Sequence, residues 1–299
     1  MYGKENKLTL FRKQFINDMK IQSFSLLATA VGFSTLMACN SSNEQPKQSD
    51  SDTTQSPAGA EAPAKAIKLA PFADSPEFPG ATLTIKDVKT EMVGTDSVKV
   101  TLNYDVKNYE LKQQTSSATA GECNNSKDGQ HIHFILDNKP YMALYNPTHT
   151  FTVPVNSEHY LMSFLSRSYH ESLKNKEAGT LLHFSVDAKG VYKKLDNPST
   201  PMLFYSRPKG DYVGNDTKNV LLDFYVYNTT LSADGHKVKA TINGNSFTID
   251  SWKPQFIQNA PMGAMKVKLE LIDKDGKVVS GENTSIERDV QLAQSEPVR

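Results

Sequence analysis

The sequence predicts an all-β protein: two tandem β-sandwiches that follow a signal peptide and a disordered tether. Three observations carry this reading. One long segment recurs within the chain, apolar residues inside each copy alternate with a period of two, and turn dipeptides interrupt the alternation.

The chain begins with a basic stretch (Lys4, Lys7, Arg12, Lys13, Lys20), then an apolar run from about Ile21, then small residues, which is the order of an export signal. The run ends in Leu36-Met37-Ala38-Cys39, which resembles the bacterial lipobox of a leucine, two small or neutral residues and an obligatory cysteine. The resemblance implies that residues 1–38 are a lipoprotein signal peptide, with translation starting at Met1 or Met19, and that Cys39 carries a lipid that anchors the chain to a membrane. A single transmembrane anchor is the alternative, because the apolar stretch is about as long as a short span. Its Ser, Thr and Gly content and the polar tract after Cys39 favour cleavage. Asn40 after the cysteine, where no Asp stands, points by analogy with lipoprotein sorting to the outer membrane, so the expected location is the cell envelope.

Residues 1–38 hold five basic and two acidic side chains, so 28 basic and 31 acidic ones remain in the mature chain, a net charge of about −3. No basic face large enough for nucleic acid results. Residues 39–80 are rich in Ser, Asn, Gln, Asp, Pro and Ala with almost no large apolar side chain before Leu69, a composition that predicts a disordered tether. About 35 such residues reach on the order of 30 Å.

Offset by 120 residues, Leu83 falls on Leu203, Lys89 on Lys209, Val93-Gly94 on Val213-Gly214, Val100 on Val220, Leu102 on Leu222 and Asn108 on Asn228. A shorter loop in the second copy reduces the offset to 106, which sets His131 to Asp137 against Lys237 to Asn243; further on an offset of 107 sets Pro154 on Pro261. The first copy is placed at 81–194 and the second at 201–293. Within them Val98, Val100, Leu102, Tyr104 and Val106 alternate with polar residues, as do Val267, Leu269 and Leu271, the signature of half-buried antiparallel strands. Asp234-Gly235, Asn243-Gly244 and Asp275-Gly276 supply tight turns. About seven short strands per copy and no long amphipathic helix resemble tandem immunoglobulin-like sandwiches.

Residues required only by the shared fold should have counterparts in both copies. Ile132, Phe134 and Leu136 match Val238, Ala240 and Ile242, and Tyr160, Met162 and Phe164 match Val267, Leu269 and Leu271, so both sets are read as inward. The histidines lack counterparts: His131, His133, His159 and His170 stand where the second copy has Lys237, Lys239, Lys266 and Lys277. By the alternation His131 and His133 point the same way, away from the core, roughly 7 Å apart at Cα, and His159 points outward too. Neutral imidazoles so spaced can converge on a metal ion. With Cys39 lipidated, Cys123 has no partner for an internal disulfide, so it is free, pairs with another molecule or binds a ligand. Cys123 with His131 and His133 would suit copper(I) or zinc, soft sulfur beside borderline nitrogen, and His159 and His170 are further candidate ligands. The competing reading makes these histidines ordinary surface residues. Arg167 and Tyr169, beside His170, form a weaker candidate site for an anion.

Gly129-Gln130-His131-Ile132-His133-Phe134, followed by Glu158-His159-Tyr160-Leu161 and Tyr169-His170-Glu171, resembles small exported β-sandwich domains of unknown function that share a Gly-x-His-x-His strand and a later Gly-x-His-x-Leu strand. The likeness spans about residues 129–171, and Glu158 replaces the glycine of the second motif. It implies the fold and a shared ligand, and carries no established activity.

The sequence contains no Gly-x-Ser-x-Gly elbow, phosphate-cradling glycine loop, His-Glu-x-x-His helix or Cys-x-x-Cys pair, so no enzyme is expected and no catalytic residue is assigned. The leading reading is a lipid-anchored, non-catalytic binding protein with a copper, zinc or small-ligand site on the first sandwich. The second is a structural or adhesive module that meets protein or glycan partners, for which Tyr225, Tyr227 and Trp252 are candidates for sugar stacking or domain packing.

Overall fold

A computed structural model describes residues 65–73 and 75–295; residues 1–64, with the expected signal peptide, Cys39 and most of the tether, lie outside them. The strands run β1 (Lys68–Pro71), β2 (Thr82–Val93), β3 (Ser97–Lys107), β4 (His131–Leu136), β5 (Met142–Leu144), β6 (Thr148–Pro154), β7 (Ser157–Ser166), β8 (Gly179–Val186) and β9 (Tyr192–Lys194). After residues 195–201 come β10 (Met202–Arg207), β11 (Asp211–Val213), β12 (Val220–Tyr227), β13 (Lys237–Ile242), β14 (Asn245–Ile249), β15 (Gln255–Gln258), β16 (Gly263–Ile272) and β17 (Ser285–Ala293). Among the described residues the only helices are single 3-10 turns, and none is long and apolar enough to cross a membrane.

The chain forms tandem β-sandwiches. Sheets ordered β2-β3-β6 and β5-β4-β7-β8-β9 make the first, and sheets ordered β1-β15-β12-β10 and β11-β17-β16-β13-β14 make the second. The repeat is visible strand by strand: β2-β3-β6 corresponds to β10-β12-β15, and β5-β4-β7-β8 to β14-β13-β16-β17. Each sandwich encloses its own core. Val98, Val100, Leu102, Ile132, Phe134, Leu161 and Leu165 meet in the first, and Leu203, Tyr205, Val238, Ala240, Val267, Leu269 and Leu271 in the second. Asn243 and Gly244, both at positive φ, close the two-residue hairpin between β13 and β14.

The pairing corrects one inward assignment. Ile132 pairs with Leu165 on β7 while Val238 pairs with Leu271 on β16, an offset of 106 where the sequence alignment used 107. A slip of one residue moves every side chain of a strand to the other face. Leu161 and Leu165 therefore enter the first core, whereas Met162 and Phe164 point away from it, with Tyr160 packed beside them.

That second face is covered rather than solvated. Ile135, Met162, Phe164 and Leu181 of the first sandwich pack with Met202, Phe204 and Tyr225 of the second, all buried. Phe164 stacks on Tyr225 with ring centroids 4.8 Å apart and planes at 14°, and Trp252 meets Tyr225 edge-on at 4.7 Å. Each such side chain contributes about 1.5–3 kcal/mol on full burial. Tyr225 and Trp252 thus serve domain packing.

The strand Lys68–Pro71 corrects the C-terminal end of the expected tether. It pairs antiparallel with β15 at the edge of the second sandwich, while Ile67 and Leu69 pack on that core. The apolar positions of Ile67, Leu69 and Phe72 make this segment a strand once an unpaired edge is available. The chain thus engages the second sandwich before it builds the first. A chain starting at residue 77 should therefore be about 2–3 kcal/mol less stable than one starting at residue 60, measured by urea unfolding; equal midpoints would show that β1 contributes nothing.

Candidate functional site

β4 alternates Ile132 and Phe134 into the first core with His131 and His133 onto the opposite face, where β10 closes over them. Both histidines are 0% exposed. Their outward direction is as the sequence predicts, but the expected exposure is overturned, because the outside of this sheet is the inside of the domain interface. His170 joins them from the loop after β7. There the Arg167 N–H donates to the Glu171 carbonyl and the His170 N–H to the Arg167 carbonyl, both at 2.9 Å. The loop after β16 has the same bonds at Asp273, Lys277 and Gly276. Gly276 has φ +79° and His170 has φ +69°, so the first copy places an imidazole where the backbone favours glycine. That choice costs about 1–2 kcal/mol of backbone strain.

One ring nitrogen from each of His131, His133 and His170 lies within 4.8 Å of the other two. His131 Nε2 is 3.0 Å from His133 Nε2 and 3.2 Å from His170 Nδ1, and the Tyr141 hydroxyl is 3.1 Å from His170 Nδ1. The outer nitrogens fix two tautomers. His131 Nδ1 is 2.7 Å from the Gly129 carbonyl, which can only accept, so Nδ1 carries the hydrogen and Nε2 is bare. Asn124 donates its amide N–H to the Asp216 carboxylate at 2.8 Å, which turns its oxygen toward His170 Nε2 at 3.1 Å; that nitrogen donates and His170 Nδ1 is bare. Two bare nitrogens thus face each other at 3.2 Å in a buried space. His133 is adaptable, since its Nδ1 lies 3.0 Å from the Ser206 hydroxyl, which can donate or accept. With the proton on Nδ1, all three inner nitrogens present lone pairs to one point. With the proton on Nε2, His133 donates to His131 and the Tyr141 hydroxyl to His170, and the group closes on itself.

Burial, followed by neighbouring charge, keeps these rings neutral. Burial lowers the pKa of His131 to about 4, with smaller contributions in the same direction from Arg207 and Lys209. His133 is pushed well below 6.5 by burial, by the other two histidines and by the same two cations, and His170 by burial, Arg207, His131 and Lys209. The cations lie over the Tyr141 ring, Arg207 Cζ at 5.4 Å and Lys209 Nζ at 4.4 Å from its centroid, and that ring stacks on His133 at 3.7 Å. Arg207 donates to the Tyr212 hydroxyl and Lys209 to the Tyr141 carbonyl; neither has a carboxylate partner among the described residues.

The other candidates do not join the triad. Cys123 packs with Tyr169 and Phe256, its Sγ is 3.9 Å from the Thr119 carbonyl, and burial pushes its pKa up to about 12, which keeps it a thiol rather than a ligating thiolate. Its neighbour Asn124 reaches the site instead. His159 is on the inward side of β7 by the corrected register, bonded to Asp137 and Ser157 at 2.7 Å each. Arg167 pairs with Glu171 at 3.4 Å and donates to the Pro76 carbonyl, and the Tyr169 hydroxyl donates to Ser75, so both hold the incoming N-terminal segment instead of an anion. Tyr141, Asn124, Ser206, Arg207 and Lys209 escape a reading of the sequence. Asn124 alone had a signal, since it lies in the long loop that only the first copy has.

No family model and no curated protein sequence matches the chain. Among solved structures it is similar to the fibronectin(III)-like modules of Clostridium thermocellum CbhA, with 14% identity over 32% of this chain and 100% of that one and a TM-score of 0.24. It is also similar to the central fibronectin-III array of RIM-binding protein, with 9% identity over 73% of this chain and 71% of that one and a TM-score of 0.21. The BSP domain of a biofilm associated protein gives 10% identity over 79% of this chain and 53% of that one, with a TM-score of 0.21. At this level no ligand or partner carries over.

In metal-free protein the depressed histidine pKa values predict a stability that is steady above about pH 6.5, where folded and unfolded chains are both neutral at these sites, and that falls as pH drops toward 4, where only the unfolded chain takes up the protons. Glu171, raised by burial, acts in the opposite sense, but it is one group against three. Urea midpoints at about pH 7 and about pH 5 should differ strongly in the wild type and far less in an H131Q/H133Q/H170Q variant; equal midpoints in the wild type would contradict this.

Proposed function

We propose that the chain is a lipid-anchored, non-catalytic binding protein of the cell envelope that holds one metal ion, copper or zinc, at His131, His133 and His170. The observation that carries the reading is the pair of bare nitrogens, His131 Nε2 and His170 Nδ1, facing each other at 3.2 Å with the adaptable His133 completing a triangle. Lone pairs so arranged in a dry interior repel unless a cation or a donated hydrogen lies between them. The strained backbone at His170 and the fixed tautomers from Gly129 and Asn124 are the kinds of support that ligating histidines need. Burial of the triad under the second sandwich, with His131 and His133 0% and His170 7% exposed, favours holding or passing on a metal over catalysis. The lipobox-like Leu36-Met37-Ala38-Cys39 supports the anchor.

Metal analysis and thermal melting of a lipid-free chain of residues 40–299 test this. Incubation with copper or zinc should leave one equivalent bound after desalting and raise the melting temperature. His131→Ala/His133→Ala should abolish both effects, and Cys123→Ser should change neither. A wild-type chain that retains no metal, or binding that depends on Cys123, would contradict the proposal.

A further inference from the structure

We infer that the triad, if it is the metal site proposed above, selects monovalent copper over divalent zinc, and that Arg207 and Lys209 set this selection. The inner surface of the site offers three imidazole nitrogens and one phenol hydroxyl, with no thiolate or carboxylate among the converging atoms. Neutral donors leave the full charge of a bound ion in a low-dielectric interior, and the cost of burying an ion rises with the square of its charge. Zinc therefore suffers about four times the desolvation cost of copper(I) in the same position.

The surroundings sharpen the difference. Arg207 and Lys209 sit over the ring of Tyr141, which stacks on His133, and their hydrogen bonds run to the Tyr212 hydroxyl and to the carbonyls of Lys209 and Tyr141. Arg207 Nε is buried without a partner. Two unneutralised cations repel a divalent ion twice as strongly as a monovalent one. Coordination number acts the same way. Zinc takes four ligands in closed sites, usually with thiolate or carboxylate among them, whereas three buried imidazoles suit the lower coordination of copper(I). His131 and His133 are 0% exposed and His170 7%, which restricts water at the site, and the fourth donor on its inner surface is the neutral Tyr141 hydroxyl. Copper(I) enters as the reduced ion, so no electron transfer is involved.

The test is a pair of competition titrations on the chain of residues 40–299 without oxygen, copper(I) against a copper(I)-specific chromophoric chelator and zinc against a zinc chelator. Copper(I) should bind one per chain and at least about 100-fold more tightly than zinc. Lys209→Met, at a half-buried position where loss of folding is not expected, should raise zinc affinity about tenfold more than copper(I) affinity. Tyr141→Phe should keep copper(I) binding. Zinc binding equal to or tighter than copper(I), or a Lys209→Met variant with an unchanged ratio, would overturn the selection while leaving a metal site in place. Binding of neither metal would instead overturn the proposed function itself.

Discussion

The structure depends on the burial of one sheet face between two sandwiches. The outer side of β4 and β7 would be solvated in an isolated domain, but Met202, Phe204 and Tyr225 close over it. Burial makes His131, His133 and His170 neutral, leaves water no means to satisfy their inner nitrogens, and gives the charges of Arg207 and Lys209 a range they would lack in solvent. Three imidazoles on an exposed strand would titrate near their ordinary value and hydrogen-bond to water. The same three residues, buried, converge within 4.8 Å of one another.

The duplication shows which of these features the fold itself needs. The loop after β7 and the loop after β16 share their backbone hydrogen bonds, yet one carries His170 and the other Gly276 at the left-handed position. The fold is content with glycine there, so the histidine answers to something other than folding. Along β4 and β13, Lys237 and Lys239 are partly exposed where His131 and His133 are buried, because the corresponding face of the second sandwich is not covered in the same way. One sandwich thus holds the candidate ligands, and the other supplies the lid and one orienting hydroxyl, Ser206.

Much of this was legible in the residues. Alternation and turn dipeptides mark the strands, the offsets of 120 and 106 match equivalent strands, and the lack of histidine at the matching positions of the second copy singles out His131, His133 and His170. Three features were not legible, each for a physical reason. Alternation divides a strand into two faces without telling whether the second meets water or another domain, so it does not give the burial of His131 and His133. An offset wrong by one residue on β7 exchanged its faces, which sent His159 outward and Phe164 inward. Nearness along the chain suggested Cys123, but the loop turns its thiol into an apolar cluster with Tyr169 and presents Asn124 to His170. The strand Lys68–Pro71 was hidden because its pairing partner, β15, lies far along the sequence.

The most direct test of the account is X-ray absorption spectroscopy of the copper-loaded chain of residues 40–299. A first shell of three nitrogen donors at about 2.0 Å, with the multiple-scattering pattern of imidazole and no sulfur, is expected. A sulfur scatterer at about 2.3 Å, which would bring Cys123 into the site, or a shell of oxygen donors without imidazole, would contradict it.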